Sequence, residues 1–415
     1  MIVSRRYHTN SYSLFSTISF AAVLIIILLV TSIFCNFSLH RDVLDKKHIE
    51  HEIVAANEVH RRIQSNSWLS VQEEVKKTYV KYLIPSHPPI NVTEEERIEW
   101  FRKELPTIEI FKSTEKSQKF GIRVQMFFQR GCEIQFFMTW ISPAKSFGKR
   151  ELLAVESVFK AHPNGCLMIL SQTMDSTQGK KILKPLTQYG FKVLAVSPDL
   201  SFLFKDTPAE AWFDEIKKGN KDPGEIPLAQ NLSNLLRLAV LYKYGGVYLD
   251  TDFIVMKKLS GLRNVIGAQS IDAESGNWTR LNNAVLIFDK YHPLVFKFIQ
   301  EFSLTFDGNK WGHNGPYLVS RVVERVKNRP DYNFTVLPPI AFYPVYWTRI
   351  GGFFQKPTNL VDSKWVKAKL LQLSGETYGV HLWNKQSSRL KIDEGSIIGH
   401  LISKNCVLCE HIYSA

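Results

Sequence analysis

No basic run interleaved with aromatic residues occurs in the 415 residues, and the nearest approach is the pair Lys180-Lys181. The formal net charge of +13 is therefore scattered. That argues against a nucleic-acid-binding stripe and leaves anionic lipid or anionic small substrates as the counterparts of the charge. No internal repeat or low-complexity tract is present, and 45% hydrophobic against 22% charged residues is the balance of a folded chain, not a disordered one. Cysteine is scarce, at Cys35, Cys132, Cys166, Cys406 and Cys409. A lone Cys-x-x-Cys at 406–409, with no second pair of ligands, does not make a zinc site. In an oxidising compartment the last four cysteines form two disulfides in any of three connectivities, one of which joins Cys406 to Cys409.

Only one long apolar run was found, Leu14 to Phe34, and it carries no charge. At the helical rise this is about 31 Å, the thickness of a bilayer core. A cleaved signal peptide needs a shorter apolar region and a small-residue cleavage site, and neither is there. Arg5 and Arg6 precede the run, which places the amino end in the cytosol. The expected plan is a cytosolic tail at 1–13, a single transmembrane anchor at 14–34, a lumenal stem at 35–119 and a catalytic body at 120–415. The stem assignment rests on polar, charge-rich sequence punctuated by IPSHPPI, with amphipathic helices expected around Val71 to Tyr82 and Glu94 to Lys103 and packing of part of the stem on the body left open. Asn36, Asn91, Asn231, Asn277 and Asn333 head glycosylation triplets, and Asn231 falls in a helix expected to be buried.

From Phe120 onward, apolar strand-like runs alternate with helix-like ones. The strands are expected at Ile134 to Ile141, Cys166 to Leu170, Phe191 to Val196 and Ala284 to Phe288, with helices at 149–162, 179–190 and 228–245. This alternation predicts an α/β sheet buried on both faces, with ligands beyond the carboxyl ends of its strands. In the segment NLSNLLRLAVLYKYGGVYLDTDFIVMKKL, Leu228, Leu232, Leu235 and Ala239 share one helical face, and Gly245-Gly246 stops the helix. Asp250 and Asp252 then follow an apolar strand. Two carboxylates at i and i+2 of a strand point the same way, repel, and make sense around a hard cation such as Mn2+ or Mg2+.

The segment YGGVYLDTDFIV (Tyr244 to Val255) resembles the Asp-x-Asp region of glycosyltransferase family 32. Its lactosylceramide alpha-1,4-galactosyltransferase and alpha-1,4-N-acetylglucosaminyltransferase members, and plant ones, are the nearest in style. LNNAVLIFDKYHP, WGHNGPYLVSRV, AFYPVYW and VHLWNK match in the same order and cover most of the chain from Phe120 onward. The resemblance implies a GT-A type fold, a Rossmann-like mixed sheet with flanking helices. It also implies a UDP-sugar donor, Mn2+ or Mg2+, retention of configuration, a glycolipid or glycan acceptor, and residence in the Golgi membrane. It implies metal ligation by Asp250, Asp252 and His381, and catalytic work by Asp250, Asp252, Arg237 and Asn314. Donor contacts are implied for Asn234, Arg237, Asp250, Thr251, Asp252, Asn282, His313 and Asn384, with Thr139 and Trp140 at the uridine end of the first strand. Asn234 stands where the family's motif has Asp, which bears on donor identity. Two other classes stay open: a glycoside hydrolase, whose paired acids would flank one bond at about 5–9 Å, and a catalytically silent lumenal UDP- or glycan-binding protein.

Overall fold

The structure, a computed structural model, describes residues 88–410 and 412–414. The expected tail, the anchor at 14–34 and most of the stem lie outside the described residues. Among the described residues no helix is long and apolar enough to cross a membrane.

Three runs with continuous apolar character form the parallel side of a sheet. β1 (Gln135–Thr139), β2 (Cys166–Leu170) and β3 (Lys192–Val196) pair in parallel, and β2 is buried at every position. A strand buried throughout must be covered on both faces. Between them run α1 (Lys149–Ala161) and α2 (Thr177–Gln188), followed later by α3 (Leu228–Tyr244). β4 (Gly246–Leu249) joins β1 in parallel, while β7 (Trp278–Phe288) joins β4 antiparallel. With β6 (Val265–Ile271) and β8 (Thr335–Leu337) the sheet reads β3-β2-β1-β4-β7-β6-β8. β5 (Phe253–Val255) leaves it to form a separate antiparallel pair with β9 (Gly379–His381). This is the mixed sheet with flanking helices expected of a GT-A-like fold.

Neighbouring residues of β1 show the two layers. Phe137 points into a core with Leu235, Ala239 and Phe298, while Phe136 and Met138 point into one with Val155, Phe159 and Ile169. The join between α3 and β4 depends on two glycines. Gly245 has φ 67° and Gly246 φ 107°; a Cβ on the first would lie 2.6 Å from the Lys290 nitrogen, and on the second 2.6 Å from the Gln135 carbonyl oxygen. Another residue type there would displace β4, and with it the acids that follow.

Within the stretch expected to be stem, the helix Glu94–Glu104 packs on the body. Phe101 and Ile108 enter the main core, and Arg97 makes a two-pronged ion pair with Asp222 at 2.7 and 2.8 Å. The two disulfides are Cys132–Cys166 and Cys406–Cys409, the connectivity that joins the close pair. The loop closed by the latter directs the N–H groups of Val407, Leu408 and Cys409 onto Oε2 of buried Glu156 at 2.9, 2.8 and 3.0 Å. Of the glycosylation triplets described, Asn91, Asn277 and Asn333 are exposed, and Asn231 is buried in α3.

His162, at the end of α1, accepts the Leu259 N–H on Nε2 at 3.0 Å and is 1% exposed. Burial pushes this imidazole down to about 4, against a smaller upward pull from Glu133. Its ordinary value is about 6.5, so the unfolded chain takes up the proton first. The stability it contributes is complete above about pH 6.5 and is lost as pH falls toward 4, amounting to about 3 kcal/mol at 1.36 kcal/mol per pH unit. Urea unfolding across this window should show a steeper acid loss for wild type than for His162→Gln. Parallel loss in both proteins would contradict the assignment.

Candidate active site

The two acids do not lie on one strand, as their i, i+2 spacing suggested. Leu249 ends β4, Asp250 still donates its N–H to the Ala284 carbonyl of β7 at 2.9 Å, and the chain then turns. The Phe253 N–H donates back to the Asp250 carbonyl at 3.1 Å, so Asp250, Thr251 and Asp252 form the bend between the large sheet and the small one. A turn, not a pleat, brings the carboxylates together.

The small sheet brings the third member. Phe253 is paired with His381, and the Leu382 N–H donates to the Asp252 carbonyl at 2.8 Å. His381 Nε2 thereby comes to 3.1 Å from Asp252 Oδ1 and 3.9 Å from Asp250 Oδ2. One ligand atom from each of Asp250, Asp252 and His381 lies within 4.8 Å of the others. Trp383 adopts φ 55°, and this reversal lets the Asn384 N–H donate to Asp252 Oδ2 at 2.8 Å. Trp383 also stands edge-on to the His381 ring with centroids 4.4 Å apart, limiting the ways that ring can turn.

Arg237 reaches the same place from α3. Its Nη1 is 3.0 Å from Asp250 Oδ1 and donates to the Asn283 carbonyl at 2.8 Å, while Nε donates to the Ser233 carbonyl at 3.2 Å. The guanidinium lies over the Tyr248 ring at 4.6 Å. Tyr248 donates its only hydroxyl proton to Asp250 Oδ1 at 2.9 Å. Its oxygen is 2.7 Å from Thr139 Oγ1, which is 2.6 Å from Ser233 Oγ, so the protons must run Ser233 to Thr139 to Tyr248 to Asp250.

The electrostatics follow from burial and neighbours. Burial raises the Asp250 carboxyl; Arg237 offsets part of this, Asp252 adds to it, and the net direction is upward. At Asp252 burial also pushes upward, but His381 and the Asn384 N–H outweigh it and hold the carboxyl below the usual range. Burial pushes His381 down, and Asp252 then Asp250 lift it above its ordinary value. Burial likewise keeps the Tyr248 phenol protonated well above its usual range, so it remains a donor. The Asp250 side chain is 26% exposed against 11% for Asp252 and 9% for His381, so the group opens on the Asp250 side.

The residues present fit a divalent cation. Two carboxylates and one imidazole make a hard, mixed O/N donor set. His381 Nδ1 and Asn384 Oδ1 are buried without a hydrogen-bond partner.

Beside this group lies a cavity of about 910 Å³, lined by Thr139 and Trp140 at the end of β1 and by Asn384. Of the residues singled out from sequence, Asp250, Thr251, Asp252, Arg237, His381 and Asn384 come together here, with Thr139 attached through Tyr248. The side chains of the others are already bonded to protein partners. Asn234 Oδ1 accepts from Asn283 Nδ2 at 2.8 Å, and Trp140 Nε1 donates to the Pro143 carbonyl at 3.1 Å. Asn282 donates to Gln269 and accepts from the Ala284 N–H. Asn314 donates to Asn231 and to the Asp307 carbonyl, and His313 Nε2 is 2.7 Å from the Thr305 carbonyl. Sequence reading missed Ser233 and Tyr248. Their signals were spacing: Ser233 sits one helical turn before Arg237, and Tyr248 two strand positions before Asp250.

Two family models match. Residues 148–272, which hold the Asp250-Thr251-Asp252 bend, match the glycosyltransferase sugar-binding region containing the DXD motif. Residues 287–413, which hold His381 and Asn384, match the alpha 1,4-glycosyltransferase conserved region. The mouse lactosylceramide 4-alpha-galactosyltransferase is 33% identical over 267 residues, covering 61% of this chain and 69% of that protein. The chain belongs to the alpha-1,4-glycosyltransferase family. It is thus a glycosyltransferase, similar also to a human alpha-1,4-N-acetylglucosaminyltransferase, 25% identical over 50% of this chain and 58% of that one. An uncharacterized Arabidopsis thaliana protein is 30% identical over 73% of this glycosyltransferase, which spans only 46% of that relative's length.

Proposed function

We propose that this glycosyltransferase moves a hexose, galactose or N-acetylglucosamine, from a UDP-sugar to a hydroxyl of a glycolipid or glycan, with retention of configuration. We further propose that it does so in the Golgi lumen, tethered by the apolar run at 14–34. The observation that carries the reading is the convergence of Asp250, Asp252 and His381 within 4.8 Å, braced by Arg237 and the Asn384 N–H.

Asp250, Asp252 and His381 would hold Mn2+ or Mg2+. Such an ion, when bound, supplies Lewis-acid stabilisation to the charge that develops on the departing diphosphate. The remaining work falls to side chains. Arg237 and Tyr248 both engage Oδ1 of Asp250, leaving Oδ2 to face the centre. The Asn384 N–H occupies Oδ2 of Asp252, leaving Oδ1 toward His381. Each acid is therefore held with one oxygen committed to protein and one directed inward. Such preorganisation costs no rearrangement when charge develops. Asn384 lines the cavity, where its amide would meet the donor.

The test is a screen of UDP-sugars with the full chain. One UDP-hexose should be consumed in Mn2+ and none in excess chelator. Cleavage of simple glycosides without metal would favour a hydrolase instead. Mn2+-dependent stabilisation by UDP with no turnover of any UDP-sugar would favour a silent binding protein.

A further inference from the structure

The cavity beside the metal-type group has an unexpected far wall. Thr139, Trp140 and Ser233 line it from the body, but Trp100, Ile108 and Ile110 line it from the segment that sequence reading assigned to the stem. That segment is fastened in place. Arg97 is 5% exposed and pairs with Asp222, Arg102 Nε donates to the Gly219 carbonyl at 2.8 Å, and Phe111 meets Phe213 edge-on at 5.7 Å.

We infer that residues 88–111 form the outer wall of the nucleoside half of the donor pocket. The inference rests on the UDP-sugar reading above and adds a role for this segment. Charge sets the direction in which the donor lies. Asn384, whose N–H meets Asp252, marks the end where a cation and a diphosphate would sit. The N-terminal wall adds Glu104 and the Lys112-paired Glu109 to its apolar side chains and contributes no basic residue to the lining, which disfavours phosphate there. The uncharged nucleoside therefore lies at the N-terminal end, where Trp100, Ile108 and Ile110 offer apolar surface to a planar base. A cavity of about 910 Å³ is at the upper end of the usual range for small-ligand pockets, roughly 300–1,000 Å³. On this account the segment is part of the catalytic body and not a spacer.

Titrations of the full chain with UDP and with pyrophosphate, each in Mn2+, test the inference. Ile110→Trp, which fills the wall, and Trp100→Ala, which removes it, should each weaken UDP binding about tenfold. Both should leave pyrophosphate binding unchanged in the folded protein. Wild-type affinity for UDP in both folded variants would overturn the inference, as would an equal loss for UDP and pyrophosphate. Wild-type chain that binds neither ligand in Mn2+ would instead sink the donor reading itself. Hydrogen exchange on the wild type provides a check that needs no variant. UDP with Mn2+ should slow amides 100–110, and unchanged exchange there in a UDP-saturated chain would refute the wall.

Discussion

Asp252→Ala is expected to lower sugar transfer by at least about 10³-fold while the protein stays folded. The loss follows from what the side chain holds together. Oδ1 is 3.1 Å from His381 and Oδ2 accepts the Asn384 N–H, so one substitution removes a charge from the ion site and frees both neighbours. Lewis-acid stabilisation is worth several kcal/mol, and each 1.36 kcal/mol is tenfold in rate. The fold should survive because Asp252 lies in a bend whose backbone bonds, Phe253 N–H to Asp250 and Leu382 N–H to Asp252, do not use the side chain. Initial rates with the active UDP-sugar, alongside circular dichroism, check both halves. Wild-type turnover in the variant would remove the metal argument.

The largest effect on stability is expected at Arg237. Arg237→Ala should cost about 2–4 kcal/mol in metal-free protein, because cutting one partner from a buried ion pair leaves the other uncompensated. The lower part of the usual range applies, since Asp250 keeps 26% exposure. Arg237 also donates to the Asn283 carbonyl, and its removal takes that donor away. The ion site adds a signature that a purely structural arginine would not give. A dication between Asp250 and Asp252 replaces the lost positive charge, so Mn2+ should recover more stability in Arg237→Ala than it adds to wild type. Thermal unfolding of both proteins with and without Mn2+ measures this. Equal Mn2+ stabilisation in the two would count against the coupling of Arg237 to the ion site.

How far the sequence could be read depended on how local the information was. The helix Leu228–Tyr244, its glycine stop and the strand before Asp250 were legible because apolar spacing and glycine position are properties of a few adjacent residues. The bend at 250–252 was not. A carboxylate pair separated by one residue fits a strand or a turn equally well, and the choice is made by β9, which draws β5 out of the main sheet. Asn384 meets Asp252 across 132 positions of sequence, a contact that only motif resemblance could suggest. Asn282, His313 and Asn314 show the converse. Polar residues in a motif look available, but Asn282 and Asn314 are buried against Gln269 and Asn231, and the half-buried His313 is bonded to the Thr305 carbonyl. The helix at 94–104 read as stem because its residues are mostly charged. What seats it is Arg97 on Asp222, 125 positions away, and a single buried phenylalanine, Phe101.

Diffraction at the manganese absorption edge, from crystals of the protein soaked in UDP and Mn2+, tests the ion site most directly. One anomalous peak should appear between the inward oxygens of Asp250 and Asp252 and the His381 imidazole, touching the diphosphate. Bound UDP with no peak there, or with both aspartates turned to backbone amides, would contradict it.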